Sequence, residues 1–264
     1  MRRKPGIAAL LTDFGLKDHY AGVVKGVILS VCPDARIVDL SHDVESQDVA
    51  AAYFLLENSY RFFPGGTLFV VVVDPGVGTE RAVVGVETAD FTFLAPDNGV
   101  LGFLDREERI RRIVRVTNGK YFLQPVSNTF HGRDVFAPVA GHLLRGVDLG
   151  KMGERTDSLT RLTVPAAREE PGAILGSVVS IDKFGNLITN IPSEKLPPGR
   201  GVRVEVGQGV IRGISRTYSG RKPDELLACV GSGGAVEIAV NRGSAARRLG
   251  VRVGQPVRVT LRPR

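Results

Sequence analysis

Three polar turns follow apolar runs directly in this chain: Leu11-Thr12-Asp13-Phe14-Gly15, Asp74-Pro75-Gly76-Val77-Gly78 and Ala95-Pro96-Asp97-Asn98-Gly99. Asp, Asn, Gly and Pro punctuate loops in any fold, so each alone is compatible with a plain turn. Asp74 differs because it ends a continuous apolar run, Thr67 to Val73, without a spacer. A carboxylate at the end of a buried strand needs a partner, and Arg81, across the glycine-rich turn, could supply one. Asn128-Thr129-Phe130-His131-Gly132-Arg133-Asp134 precedes a helix for which Asp134 is the expected N-cap. His131 there is either a loop histidine without a task or a proton carrier near neutral pH. Further on, Ile181-Asp182-Lys183-Phe184-Gly185-Asn186 sets a polar-aromatic turn between two strands, and a plain hairpin is the alternative. These residue types offer proton transfer and binding of a polar ligand.

Other chemistries find less support. The four histidines are scattered, and Cys32 and Cys229 have no metal-ligand spacing, so no metal site is expected. There is no P-loop and no GxGxxG after a strand. Asp13-Phe14-Gly15 matches the kinase magnesium triplet, but no phosphate-cradling or catalytic-loop signature accompanies it.

Strands and helices must place these residues. Ile7 to Leu11, Ile37 to Leu40 and Thr67 to Val73 read as strands, alternating with helices predicted over Asp18 to Val31, capped by Asp18, and over Glu45 to Phe62. This order predicts an α/β domain over residues 1–160, its mostly parallel sheet sandwiched by helices. Further strands are predicted at Val83 to Val86, Phe91 to Leu94 and Ile113 to Val116, and a helix at Asp134 to Leu144. In an open sheet of this kind, ligands bind beyond the carboxyl ends of the strands, where the three turns fall. Pro165, Glu169-Glu170 and Pro171-Gly172 read as a linker. Residues 172–264 carry short alternating strands split by Gly and Pro, which predicts a small antiparallel β-barrel domain.

Composition bounds the function classes. With 43% hydrophobic and 24% charged residues, the 264-residue chain is of ordinary globular type. No apolar run is long enough to span a bilayer, and no export signal is expected: after Met1-Arg2-Arg3-Lys4 only Ile7 to Leu11 is apolar before Asp13. With two cysteines expected to stay reduced, the expectation is a cytoplasmic protein that contacts no membrane. A net charge of +7 raises the question of nucleic acid. The basic residues are scattered, apart from Arg106, Arg109, Arg111, Arg112 and Arg115, which are interleaved with Ile110, Ile113 and Val114 as on a solvated face. Only Phe184 and Tyr218 are aromatic after residue 160, so a barrel that stacks bases is disfavoured.

The three turns, together with Arg81, Phe130-His131-Gly132-Arg133-Asp134-Val135-Phe136-Ala137-Pro138, Asp182-Lys183-Phe184-Gly185-Asn186 and Gly231-Ser232-Gly233-Gly234, resemble the S-adenosylmethionine hydroxide adenosyltransferase family. These enzymes are relatives of the fluorinase and chlorinase that halogenate the same substrate. The motifs run in order from Leu11 to about Asn241. The resemblance implies an N-terminal α/β domain, a C-terminal β-barrel, and a homotrimer with active sites between subunits. It implies hydrolysis of S-adenosyl-L-methionine to adenosine and L-methionine, with no cofactor besides the substrate. Asp74, Arg81 and His131 then become the catalytic triad that handles water. Asp13 takes the ribose hydroxyls, Asp182 and Asn186 hold the methionine or adenine portions with Phe184 packing nearby, and Ser232 contacts the amino-acid end. The family usually has an aromatic residue where Ala235 follows Gly234 here, which weakens any expectation of aromatic packing from that loop.

The chemistry suits these residue types. The sulfonium leaves as a neutral thioether, so the requirement is an oxygen nucleophile held in line with the ribose 5′ carbon and relieved of its proton. Either Asp74 or His131 can take that proton. Within the same fold a halogenase is the alternative, disfavoured because Asp74 would repel a halide at the nucleophile position. A basic nucleic-acid-binding module is the alternative from another class.

Overall fold

The computed structural model describes residues 6–107, 110–163, 165–196 and 201–261, and the chain divides into two compact units between Leu162 and Thr163. Arg109, of the arginine cluster, lies outside the described residues. Among the described residues no helix is long and apolar enough to cross a membrane.

The first unit runs β1 (Ile7–Thr12), α1 (Tyr20–Val31), β2 (Arg36–Ser41), α2 (Val49–Glu57), β3 (Leu68–Val72), β4 (Val83–Glu87), β5 (Thr92–Pro96), α3 (Leu104–Glu107), β6 (Arg112–Val116), α4 (Ala137–Leu144) and β7 (Gly153–Thr156). Its seven strands form one sheet in the order β2-β1-β3-β5-β4-β6-β7. The β1–β2, β1–β3 and β3–β5 ladders are parallel, whereas β5–β4, β4–β6 and β6–β7 are antiparallel. The sheet is therefore mixed and not mostly parallel: β4 and β5 pair as a short hairpin, and β6 and β7 add antiparallel beyond β4, pairings that require no parallel crossover.

Period-two alternation sorts the strand residues onto two faces. Ala9, Leu11, Phe69, Val71 and Val73 share a core with Tyr53 and Leu56 of α2. Ala8, Leu10, Leu68, Val70 and Val72 share the other with Val24 and Ile28 of α1 and with Phe136, Val139 and Ala140. Burial of the Leu, Val, Ile and Phe side chains among them contributes about 1.5–3 kcal/mol each, which anchors strand ends firmly enough to carry polar turns. Because β1, β3 and β5 are mutually parallel, the turns holding Asp13, Asp74 and Asp97 leave the same edge of the sheet.

Local departures from the sequence expectations have physical causes. The first helix begins at Tyr20 with His19 at its N-cap, and Asp18 does not cap it. The second is shorter than Glu45 to Phe62: the Asp48 side chain accepts from Ala51 N at 2.8 Å, starting α2 there, and Tyr60–Phe62 is a separate 3-10 turn. Asp134 is not an N-cap but lies inside a π-turn, Gly132–Phe136, that leads into α4.

The second unit runs β8 (Arg168–Glu170), β9 (Ala173–Ile181), β10 (Leu187–Pro192), β11 (Val202–Val206), β12 (Gly209–Arg212), β13 (Leu226–Val230), β14 (Ala235–Val240), α5 (Ala245–Leu249) and β15 (Pro256–Leu261). All named ladders are antiparallel, in the order β12-β11-β15-β9-β10-β14-β13. Just after β12, Ser215 N donates to Ala228 O of β13 at 2.7 Å, bringing the two ends of the sheet together into a nearly closed barrel. Ile174, Val178, Leu187, Val204, Ile238 and Val259 fill its interior. Arg168–Glu170, expected within a linker, instead pairs with β9 as β8.

Candidate functional site

Asp74 emerges from the buried end of β3, and the turn that follows returns Arg81 to it. Arg81 Nε donates to Asp74 Oδ1 at 2.8 Å and its Nη2 to Oδ2, a bidentate pair. Gly76 N also donates to Oδ1 at 3.2 Å. The side chains are only 5% exposed for Asp74 and 11% for Arg81. Such a buried pair is stable because the fork geometry satisfies both carboxylate oxygens. Arg81 Nη2 lies 3.0 Å from His131 Nδ1. Guanidinium has no lone pair to offer, so Nδ1 must accept, and the imidazole is neutral with its proton on Nε2. Burial pushes the His131 imidazole below its ordinary value and the Arg81 charge adds to this, outweighing Asp74 and Asp134.

Two loops meet here because of one glycine. Gly78 adopts φ +77°, and a Cβ on it would lie 2.1 Å from Asn128 O, so the Asp74 turn rests against the segment leading to His131. Asp134 anchors the other end of that segment. Its fully buried carboxylate accepts from Ser127 N at 2.9 Å and from Arg133 Nε at 2.6 Å. Burial works against that charge, yet these bonds hold its carboxyl below the usual range. A π-turn among such contacts is frequent where a helix start has been shaped for function.

Asp13 joins the same edge. Its Oδ2 accepts from Gln47 N at 2.8 Å, and the Phe14 ring meets Phe130 edge-on at 5.8 Å, beside His131 in sequence. Asp97 and Asn98 act as supports: Asn98 Nδ2 donates to Val73 O at 2.9 Å, and Asp97 Oδ1 accepts from Thr160 N at 2.8 Å. The first unit thus brings Asp74, Arg81 and His131 into contact and links Asp13 to them through Phe14 and Phe130.

In the second unit, Asp182 Oδ1 accepts from Phe184 N and Asn186 N, both at 2.9 Å, and Oδ2 accepts from Asn186 Nδ2 at 2.8 Å. The turn is rigid. It buries Asn186 and leaves Phe184 74% exposed. Ser232 is exposed in the β13–β14 turn. Sequence reasoning missed Glu237, buried on β14 and accepting from Tyr218 Oη at 2.7 Å. Burial raises the Glu237 carboxyl, with Asp182 adding to it, and burial raises the Cys229 thiol to about 11. Also missed was His42, buried beyond the end of β2 and 2.8 Å from Thr12 Oγ1. The signal was present: Ser41-His42-Asp43 is one more polar turn after a strand parallel to β1.

Comparison with known proteins bears on this geometry. Residues 8–153 match the family described as SAM hydroxide adenosyltransferase N-terminal domain, and residues 176–258 the corresponding C-terminal domain. A protein named (R)-S-adenosyl-L-methionine hydrolase from Salinispora tropica is 38% identical, with 94% of this chain and 95% of that one covered. One of the same name from Thermus thermophilus is 37% identical, covering 94% and 97%. A fluorinase from Nocardia brasiliensis is 28% identical over 98% of each chain. The crystal structure of an uncharacterized conserved protein from Thermotoga maritima superposes with a TM-score of 0.89 and 39% identity, covering 96% of this chain and 99% of that one.

Proposed function

This chain belongs to the S-adenosylmethionine hydroxide adenosyltransferase family, and on that premise we propose that it hydrolyses S-adenosyl-L-methionine to adenosine and L-methionine, acting on the epimer whose sulfonium is R. The observation that carries the reading is the double engagement of Arg81, which touches a carboxylate and a neutral imidazole at once. Three such groups suit one water. His131 Nε2–H donates to its oxygen, and Asp74 takes its proton. The oxygen–C5′ bond forms as the C5′–sulfur bond breaks. Sulfur keeps the electron pair and leaves as a neutral thioether, and the proton passes to solvent. The main demand is alignment, since the leaving group needs no acid. Hydrolysis is favoured over halogenation because the hydrolases share 37–38% identity with this chain and the fluorinase 28%.

Asp13 holds the ribose hydroxyls in this reading. Asp182, Asn186, Phe184 and Ser232 hold the remainder of the substrate, in a homotrimer whose active sites are shared between subunits. The enzyme works in the cytoplasm and needs no metal or cofactor. Incubation of the purified chain with each sulfonium epimer, followed by chromatography, tests the activity: adenosine and methionine should form with chelator present, faster from the R epimer. Failure to form adenosine from either epimer refutes the proposed activity, and activity that returns only with a divalent ion refutes this mechanism.

A further inference from the structure

We propose that His42 is a positioning residue, setting Asp13 for ribose recognition through the hydroxyl of Thr12; the inference rests on the reading of Asp13 given above. Thr12 is the last residue of β1, fully buried, and the turn carrying Asp13 starts from it. Phe14 N donates to Thr12 Oγ1 at 3.3 Å, so this hydroxyl closes the turn around Asp13. The hydroxyl proton needs an acceptor, and His42 Nδ1 lies 2.8 Å away. On the opposite side of the ring, His42 Nε2 is 3.1 Å from Asp39 Oδ1, off the line of a straight hydrogen bond but within Coulombic reach. That carboxylate favours the proton on Nε2 and so leaves Nδ1 free to accept. Lys25 Nζ, 2.7 Å from Asp39 Oδ2, offsets the remaining charge.

The main chain of His42 works on the same turn. Gly15 N donates to His42 O at 2.7 Å, fixing the far end of the segment that Thr12 begins. Asp13 is thereby bracketed: Thr12 and Gly15 are both tied to one buried histidine, and Gln47 N holds Oδ2. Among the described residues nothing donates to Asp13 Oδ1, which is left to receive a ligand hydroxyl. Burying a histidine to 4% exposure with Nε2 short of a hydrogen bond costs folding free energy, and here its Nδ1 and main-chain oxygen hold the two ends of the turn that carries Asp13.

The test compares kcat/KM for S-adenosylmethionine with that for its 2′- and 3′-deoxy analogues in the full-length enzyme, with melting temperatures alongside. Sites built to hydrogen-bond a hydroxyl discriminate strongly against its absence. Asp13→Ala should collapse that discrimination. Thr12→Val, which exchanges one hydroxyl for a methyl, should narrow it by roughly fivefold, the worth of one neutral hydrogen bond. His42→Asn can place an oxygen where Nδ1 sits and should stay within about twofold of wild type, whereas His42→Gln cannot and should follow Thr12→Val. A merely structural histidine would lower the melting temperature in these variants while the discrimination ratio stayed at its wild-type value, and that result overturns the proposal. Should Thr12→Val fail to fold, the two His42 variants decide alone. If Asp13→Ala itself keeps the ratio, the ribose reading fails and takes the inference with it. If only Asp13→Ala collapses it, the ribose reading stands and the role of His42 falls.

Discussion

Arg81 donates to a carboxylate and an imidazole at once, and in the proposed mechanism this divides the work between them. Asp74 keeps unshared electron pairs that can take a proton from water, while His131 presents its Nε2–H as a donor. Asp74→Asn should therefore cut turnover by about a hundredfold to ten-thousandfold, the usual cost of a lost positioned base, with KM nearly unchanged. If Asp74 is only the structural partner of Arg81, the same variant melts earlier but turns over normally per folded molecule; kinetics beside thermal melts separate the two. His131 gives a second expectation. Burial first, then Arg81, places its titration below the ordinary 6.5, and only the neutral ring can accept from Arg81. Activity should be flat above that value and fall as the pH drops through the lowered one, since protonation sets two N–H donors against each other. The acid limb should vanish in the residual activity of His131→Asn, and a limb that persists at the same pH would assign it to another group.

The turns at the ends of β1 and β3 were legible as candidate sites because each follows a buried strand directly, and the pairing of Asp74 with Arg81, which the fold shows, followed from the need to compensate a carboxylate there. Less legible was what links neighbouring turns. Gly78 reads as one more turn glycine, yet it combines a left-handed φ with the close approach of Asn128 O. Gly78→Ala should cost about 1–3 kcal/mol of stability and lower turnover as well, because it pushes the Asp74 turn away from the His131 segment. Denaturant titration and single-turnover kinetics check both parts. The mixed sheet was misread as mostly parallel because fully buried strands look alike whichever way they run. Glu237 was invisible for a different reason: alternation on β14 marks it as outward-facing, and only the fold shows the Tyr218 segment covering it. Its folded carboxyl titrates above the ordinary 4.5, so its contribution to stability is present at lower pH and lost as the pH rises through that raised value. Glu237→Gln keeps an acceptor for Tyr218 without the charge. It should raise the melting temperature at neutral pH and leave it nearly unchanged in acid, and melts at the two pH values measure the difference.

At the scale of the whole molecule, the dense arginine cluster argues less for a polyanionic partner than it first suggests, because two of its members are paired within the fold. Arg112 bridges Glu87 and Asp148, and Arg106 pairs with Glu57. Assembly is the property that neither charge nor hydrophobic pattern along the chain encodes, since a trimer depends on matching surfaces from separate copies. In the proposed homotrimer an active site takes residues such as Asp74 from one subunit and Asp182 from its neighbour. Light scattering should report three chains. A stricter expectation concerns mixtures. Asp74→Asn and Asp182→Ala chains should each be inactive alone, because every site in either homotrimer carries the lesion. Refolded together in equal amounts, they should regain about a quarter of wild-type activity, because each site then draws one intact contribution from each of two independently chosen chains. Sites built within single chains would regain nothing, since every chain carries one lesion. Recovery therefore reports on where the site lies, whatever the absolute rate, and mixtures as inactive as their parents would end the shared-site proposal while leaving the chemistry of Asp74, Arg81 and His131 intact.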